Sequence, residues 1–219
     1  MKKYFDVLRK CSLFNDIENE NILPLLGCLG AKVEEYDKKY TIFAEGNPAR
    51  FIGIVLSGEA QMEKVDFYGN RSIVTKIGVS EMFGEAFACA GVDKIPVTVI
   101  ANEPGEIMLL DCERILHSCS NSCGFHRQIV FNLMKELAIK NIMFHNKIEI
   151  TSQRSTREKL MTYLMQQAKS AGSDSFTVPF DRQELADFLE VDRSGLSAEI
   201  GKLKKEGIID CRKSTFTLL

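Results

Sequence analysis

The chain has 219 residues, 45% hydrophobic and 26% charged, with a formal net charge of −2. This suits a soluble protein of one to two domains with room for a core, and no stretch approaches the ~18 apolar residues of a membrane span. The opening segment MKKYFDVLRKCSLFNDIENE breaks its apolar residues with charge too often for a signal peptide, so the seven cysteines are expected to be reduced thiols in the cytoplasm.

Residues 1–35 read as mostly helical, with LFNDIENENILPLLGCLG carrying apolar positions at helical spacing. From 38 to 111 the texture changes to short β-rich runs: YTIFAEG, FIGIVLSGEAQMEKV, RSIVTKIG, VTVIAN and EIMLLD. Turn signals such as Gly46-Asn47-Pro48, Ser57-Gly58, Tyr68-Gly69-Asn70 and Glu103-Pro104-Gly105 separate them. Many short strands at regular intervals predict a small antiparallel barrel or roll. A long helix follows over about residues 125–150. Within it Val130, Met134, Leu137, Asn141, Phe144 and Ile148 are spaced 4, 3, 4, 3, 4, the seam of a two-stranded coiled coil. Asn141 on that seam costs stability but favours a dimer in one register; the alternative is a helix that packs on its own barrel.

TSQRSTREKL restarts a helix, with Ser155 and Glu158 placed as a capping box. FTVPF is a short strand, Asp181 and Glu184 form a second capping box before RQELADFL, and Asp192 is a good N-cap for the helix that follows. IIDCRKSTFTLL reads as a hairpin around Arg212-Lys213-Ser214. Helix, strand, helix, three-residue turn, helix, hairpin is the order of a winged helix-turn-helix.

In DRSGLSAEIGKLKKEGII, Leu196, Ile200 and Leu203 share one face, and the outer face is small and polar. A groove-reading helix needs that low profile, because base edges and phosphates must come within contact distance. Arg193 can donate two parallel hydrogen bonds to guanine, Ser194 and Ser197 reach phosphates or base edges, and Ala198 can touch a thymine methyl. Lys202, Lys204, Lys205 and the wing tip Arg212-Lys213 suit phosphates. Against this stands the charge balance: from residue 149 onward 11 Lys and Arg face 11 Asp and Glu, whereas a nucleic-acid reader is usually basic.

Roll, seam helix and winged helix-turn-helix in that order resemble the bacterial regulators of the cyclic-AMP receptor protein and FNR family, over essentially the whole chain. AEGNPARFIGIVLSGEAQ matches the family's turn–strand–turn pattern, with Gly46 and Gly58 as turn glycines, and FGEAF its Gly-Glu effector cassette; Ser80 stands where many relatives have a further turn glycine. The resemblance implies an α+β chain. Its parts are a cyclic-nucleotide-binding-like β-roll (1–118), a dimerisation helix (119–150) and a winged helix-turn-helix DNA-binding domain (151–219). It also implies a homodimer on a pseudo-palindromic operator of double-stranded DNA, with RNA polymerase and a small-molecule effector as further partners and no membrane. The effector pocket would involve Gly84, Glu85, Ala86, Ile95, Pro96 and Val97. In cyclic-nucleotide binders the Glu bonds the ribose and a downstream Arg-Ser holds the phosphate. Here Ile95-Pro96 occupies that place, and a phosphate buried against Ile has no counter-charge. The expected effector is therefore not cyclic AMP, and its identity stays open, as does any cofactor.

FNR-like members hold an iron–sulfur cluster on a tight N-terminal cysteine group; Cys11 and Cys28 are too few and too far apart. DCERILHSCSNSCGFH offers Cys112, His117, Cys119, Cys123 and His126, thiolate and imidazole groups suited to zinc or iron, at spacings that match no strong motif. Buried thiols are the plainer expectation, with a metal- or redox-sensing variant on Cys112, Cys119 and Cys123 as the alternative. A cupin-type enzyme would need histidines converging inside the barrel. His117, His126 and His145 all lie beyond its last strand, so no enzyme is expected. An adaptor that does not bind DNA is the remaining rival.

Overall fold

The structure, a computed structural model, describes residues 2–117 and 124–219. They form two compact units: Met1–Val65 with Val74–Asn141, and Asp66–Ile73 with Ile142–Leu219.

In the first unit, α1 (Phe5–Leu8) and α2 (Asn19–Cys28) precede the strands. One sheet contains β1 (Lys32–Tyr36), β3 (Phe51–Val55), β6 (Met82–Phe83) and β8 (Gly105–Asp111), in the order β1-β8-β3-β6. The other contains β2 (Thr41–Phe43), β4 (Ala60–Val65), β5 (Arg71–Ile77) and β7 (Thr98–Ala101), in the order β2-β7-β4-β5. A short helix, α3 (Glu85–Ala90), follows β6; α4 (Cys112–Leu116) follows β8; the long helix α5 spans Gly124–Thr151. The predicted roll is thus present.

β8 shows how the core is divided. Ile107 and Leu109 join Val55, Met62, Phe83 and Val99 inside the roll. Met108 and Leu110 face the other way, with Ile52, Ile54, the N-terminal helices and Ile129 and Leu133 of α5. A strand buried on both faces is apolar throughout, which is why EIMLLD shows no alternation. Gly53 of β3 has no side chain because Phe83 fills the space: a Cβ there would lie 2.1 Å from its ring. Ser80 holds φ 72, a left-handed conformation that glycine adopts without cost, and its hydroxyl donates to the Val7 carbonyl at 2.9 Å.

One expectation fails. The helical reading of residues 1–35 runs into β1, which starts at Lys32 and pairs with β8 from Lys32↔Leu109 to Tyr36↔Gly105. It is an edge strand with Lys32, Glu34 and Glu35 exposed, so charge hides the strand signal.

The second unit has α6 (Thr156–Ala171), β9 (Ser175–Thr177), α7 (Arg182–Leu189), α8 (Arg193–Lys205), β10 (Ile209–Arg212) and β11 (Thr215–Leu218), with sheet order β10-β11-β9. Both capping boxes form, on Ser155/Glu158 and Asp181/Glu184. Leu160, Leu164, Leu185, Leu189, Leu196 and Leu203 close one core with Ile209 and Phe216. The 66–73 segment and the end of α5 belong to this unit. Arg71 pairs with Asp187, and Lys147 of α5 donates to the Phe188 carbonyl while its Nζ sits 3.5 Å from the centre of the Phe188 ring.

Candidate functional site

The α7–α8 corner is built from local chemistry. Ala186, fully buried, lets the two helices cross closely, and Glu190 ends α7 in a left-handed conformation, φ 54. The Asp192 side chain accepts from the Gly195 N–H at 3.0 Å and starts α8. Leu196, Ile200 and Leu203 are buried, which turns Arg193, Ser194, Ser197, Ala198, Lys202 and Lys205 outward, all exposed. Arg212 and Lys213 are exposed at the wing, where Lys213 makes the turn at φ 55.

Pairing separates these residues. Arg157 grips Glu206 with both guanidinium nitrogens, Arg71 pairs with Asp187, Lys204 with Asp210 at 2.8 Å and Lys202 with Glu199 at 3.3 Å. Among the described residues, Arg193, Lys205, Arg212 and Lys213 have no ion-pair partner on their side chains. The neutral total therefore hides a local excess: several acids are matched by bases within the unit, while α8 and the wing keep unmatched cations. Ser194 differs from expectation in one respect, since its hydroxyl donates to Asp192 and is partly engaged by the cap. That bond and the Gly195 N–H hold the Asp192 carboxyl below the usual range.

On α5, Met134, Asn141, Phe144 and Ile148 are exposed, whereas Val130 is half-buried and Leu137 packs against the interior of the first unit. Phe131, Ile142 and Met143 are exposed beside them.

In the cassette, Gly84 holds φ 80 with the Phe43 ring 2.8 Å from where a Cβ would stand, and caps α3. Glu85 is 3% exposed, and its carboxylate is engaged by Lys140 of α5 at 2.8 Å. The same ammonium donates to the Met82 carbonyl at 2.5 Å and lies 3.8 Å from Glu136, which accepts from the Ser12 hydroxyl at 2.7 Å. Among the described residues the second oxygen of Glu85 meets no hydrogen-bond partner. Ile95 and Val97 are buried in the apolar interior of the roll, while Ala86, Lys94 and Pro96 are exposed. The sequence gives no hint of Lys140: it lies 55 residues from Glu85, and only the fold joins them.

Two family models match the chain, a cyclic nucleotide-binding domain over residues 33–122 and a Crp-like helix-turn-helix domain over residues 158–219. A CRP-like cAMP-activated global transcriptional regulator of Mycobacterium tuberculosis is 29% identical over 80 residues, 36% of this chain and 35% of that protein. The match thus spans about a third of that relative. The c-di-GMP responsive global regulator CLP of Xanthomonas campestris shares the fold at TM-score 0.73 and 17% identity, covering 92% of this chain and 99% of the other. A transcriptional regulator of the CRP/FNR family from Thermus thermophilus does so at TM-score 0.59 and 19% identity, covering 86% and 93%. The chain belongs to the CRP/FNR family.

CRP/FNR proteins are DNA-binding transcription regulators and not enzymes. Within this CRP/FNR chain only part of the cysteine and histidine set named from the sequence falls among the described residues. Cys119 and Cys123 lie outside the described residues, and among the described residues no three His, Cys, Asp or Glu side chains gather in a metal-binding group. His126 Nε2 donates to the Arg114 carbonyl at 2.8 Å, and His117 lies 3.1 Å from Glu113. Cys112 is buried and meets a cysteine that sequence spacing did not single out, Cys89, at 3.7 Å. No helix among the described residues is long and apolar enough to cross a membrane.

Proposed function

We propose that this regulator acts as a homodimer that binds a pseudo-palindromic operator through α8 and the wing, under control of an effector sensed by the roll. In this reading residues 1–118 sense, 119–150 dimerise and 151–219 bind DNA. Arg193, Ser197 and Lys202 face the major groove with Ser194 at its edge, and Arg212 and Lys213 hold phosphates. The observation that carries it is the set of unmatched, exposed cations on α8 and the wing. The dimer seam runs along the exposed apolar residues of α5, with Met134, Asn141, Phe144 and Ile148 on it and Val130 and Leu137 at its inner margin.

The effector is not cyclic AMP. A phosphate near Ile95 would be desolvated without a counter-charge, and Glu85 is already tied through one oxygen to the Lys140 ammonium. Because Lys140 belongs to α5, a ligand that displaced it from Glu85 would act on the dimer helix directly. Such a ligand shifts the equilibrium only by its different affinity for the two arrangements.

The test is selection of binding sites from randomised duplex DNA by the full-length protein. Enriched sites should be two-fold repeats with half-site centres one helical turn, about 34 Å, apart. Recovery of unrelated sequences with equal affinity would remove the regulator reading and leave an adaptor.

A further inference from the structure

Cys89 and Cys112 come from distant parts of the chain and meet where α3 packs against the start of α4. Their sulfurs are 3.7 Å apart, in contact and placed for bond formation without any change of fold. Cys112 is buried, 2% exposed, while Cys89 is partly open to solvent. Of the two, Cys89 is thus the residue with surface open to solvent. We propose that Cys89 and Cys112 form a peroxide-oxidisable dithiol site, with Cys89 as the reacting sulfur and Cys112 as the resolving one.

The step balances. The Cys89 thiolate attacks one oxygen of a hydroperoxide; the S–O bond forms, the O–O bond breaks, and the departing oxygen leaves as hydroxide or alkoxide and takes up a proton. Cys112 then attacks the sulfenic sulfur, the S–S bond forms, the S–O bond breaks, and water leaves with the Cys112 proton. The two cysteines lose two electrons and two protons; with hydrogen peroxide the products are the disulfide and two waters. A dithiol reverses it. Either sulfur can donate in the contact between them, so the order of attack follows from exposure: Cys89 is partly open to solvent and Cys112 is buried. Two other thiols lack this arrangement. Cys11 is buried, and burial pushes it up to about 12. Cys28 is exposed, and among the described residues no second sulfur stands beside it.

The site also has a reach. Cys89 lies one helical turn after Glu85 on α3, so a bond between the two sulfurs would tie to α4 the helix whose carboxylate Lys140 holds. The thiol chemistry does not depend on the DNA-binding reading, and its test needs no DNA.

The experiment treats the fully reduced, full-length protein with one equivalent of hydrogen peroxide without oxygen, followed by alkylation, proteolysis and mass spectrometry. The expected result is loss of two of the seven thiols, a single Cys89–Cys112 cross-link, and recovery of all seven with dithiothreitol. Cys112→Ser should stop the reaction at a sulfenic acid on Cys89, trapped by dimedone, and Cys89→Ser should leave Cys112 reduced. Both variants exchange sulfur for oxygen only, and an unchanged circular dichroism spectrum keeps the comparison valid. Retention of both thiols at one equivalent of peroxide overturns the proposal. So does cross-linking that involves Cys119 or Cys123 instead.

Discussion

The two units of this molecule place their charges in opposite ways. In the roll, Glu85 is buried and held by Lys140, which in turn approaches Glu136; charge there joins one element to another and is withdrawn from water. In the winged helix, Arg157, Arg71 and Lys204 take up acids around the edge of the fold, and Arg193, Lys205, Arg212 and Lys213 stay unmatched in solvent. A count of charges cannot tell these uses apart, since it comes to zero for residues 149–219. Pairing and exposure do: a polyanion meets cations that the protein itself has not already neutralised.

The largest effect should come from breaking the buried side of that contrast. Lys140→Met leaves the Glu85 carboxylate without its counter-ion, and should cost about 3–5 kcal/mol in denaturant unfolding. Adding Glu85→Gln should restore most of it. A loss no greater than that of an exposed ion pair, with no recovery in the double variant, would show that Glu85 is solvated instead. Next comes the exposed side. Arg193→Ala should cost about 1–3 kcal/mol on the selected operator and relax one base position per half-site. If matched and scrambled sites weaken equally, Arg193 holds a phosphate. Smaller still, Asp181→Ala removes the side-chain acceptor for the Glu184 N–H at 2.8 Å. Thermal unfolding should show a loss of about 1 kcal/mol, with DNA specificity unchanged. The smallest effect belongs to Lys213→Ala. Affinity should fall alike on all sequences and the salt dependence should flatten by about one unit of slope. Titrations at several salt concentrations separate this from base reading.

How much of this was legible in the sequence follows from the range of each signal. The winged helix could be read almost residue by residue because its determinants are local. Asp181 and Glu184 are three apart, as are Ser155 and Glu158, and Leu196, Ile200 and Leu203 repeat within one helix. Even Ser80, noted as standing in place of a glycine, sits at a left-handed turn. The roll was visible as a class but not in its joints. β1 hid behind its charges, and Glu85–Lys140 and Cys89–Cys112 are contacts that only the folded topology makes. The seam shows the intermediate case. Its heptad spacing is real, but Leu137 lies four residues after Leu133 and eight after Ile129, and that row faces the core of its own unit. A replacement meant to disturb a dimer without disturbing that core belongs at Met134.

Lys147 gives the second unit a response to alkali. Burial brings its ammonium down to about 8, while in the unfolded chain it titrates near its ordinary 10.5. Between those values the unfolded chain keeps a proton that the folded unit has given up, so the folded form gains stability as pH rises through that interval. The neutral amine still has N–H groups for the carbonyls of Phe188 and Ile73, and it no longer carries a buried charge. The joint between the end of the long helix and the helix-turn-helix is therefore one that proton loss tightens.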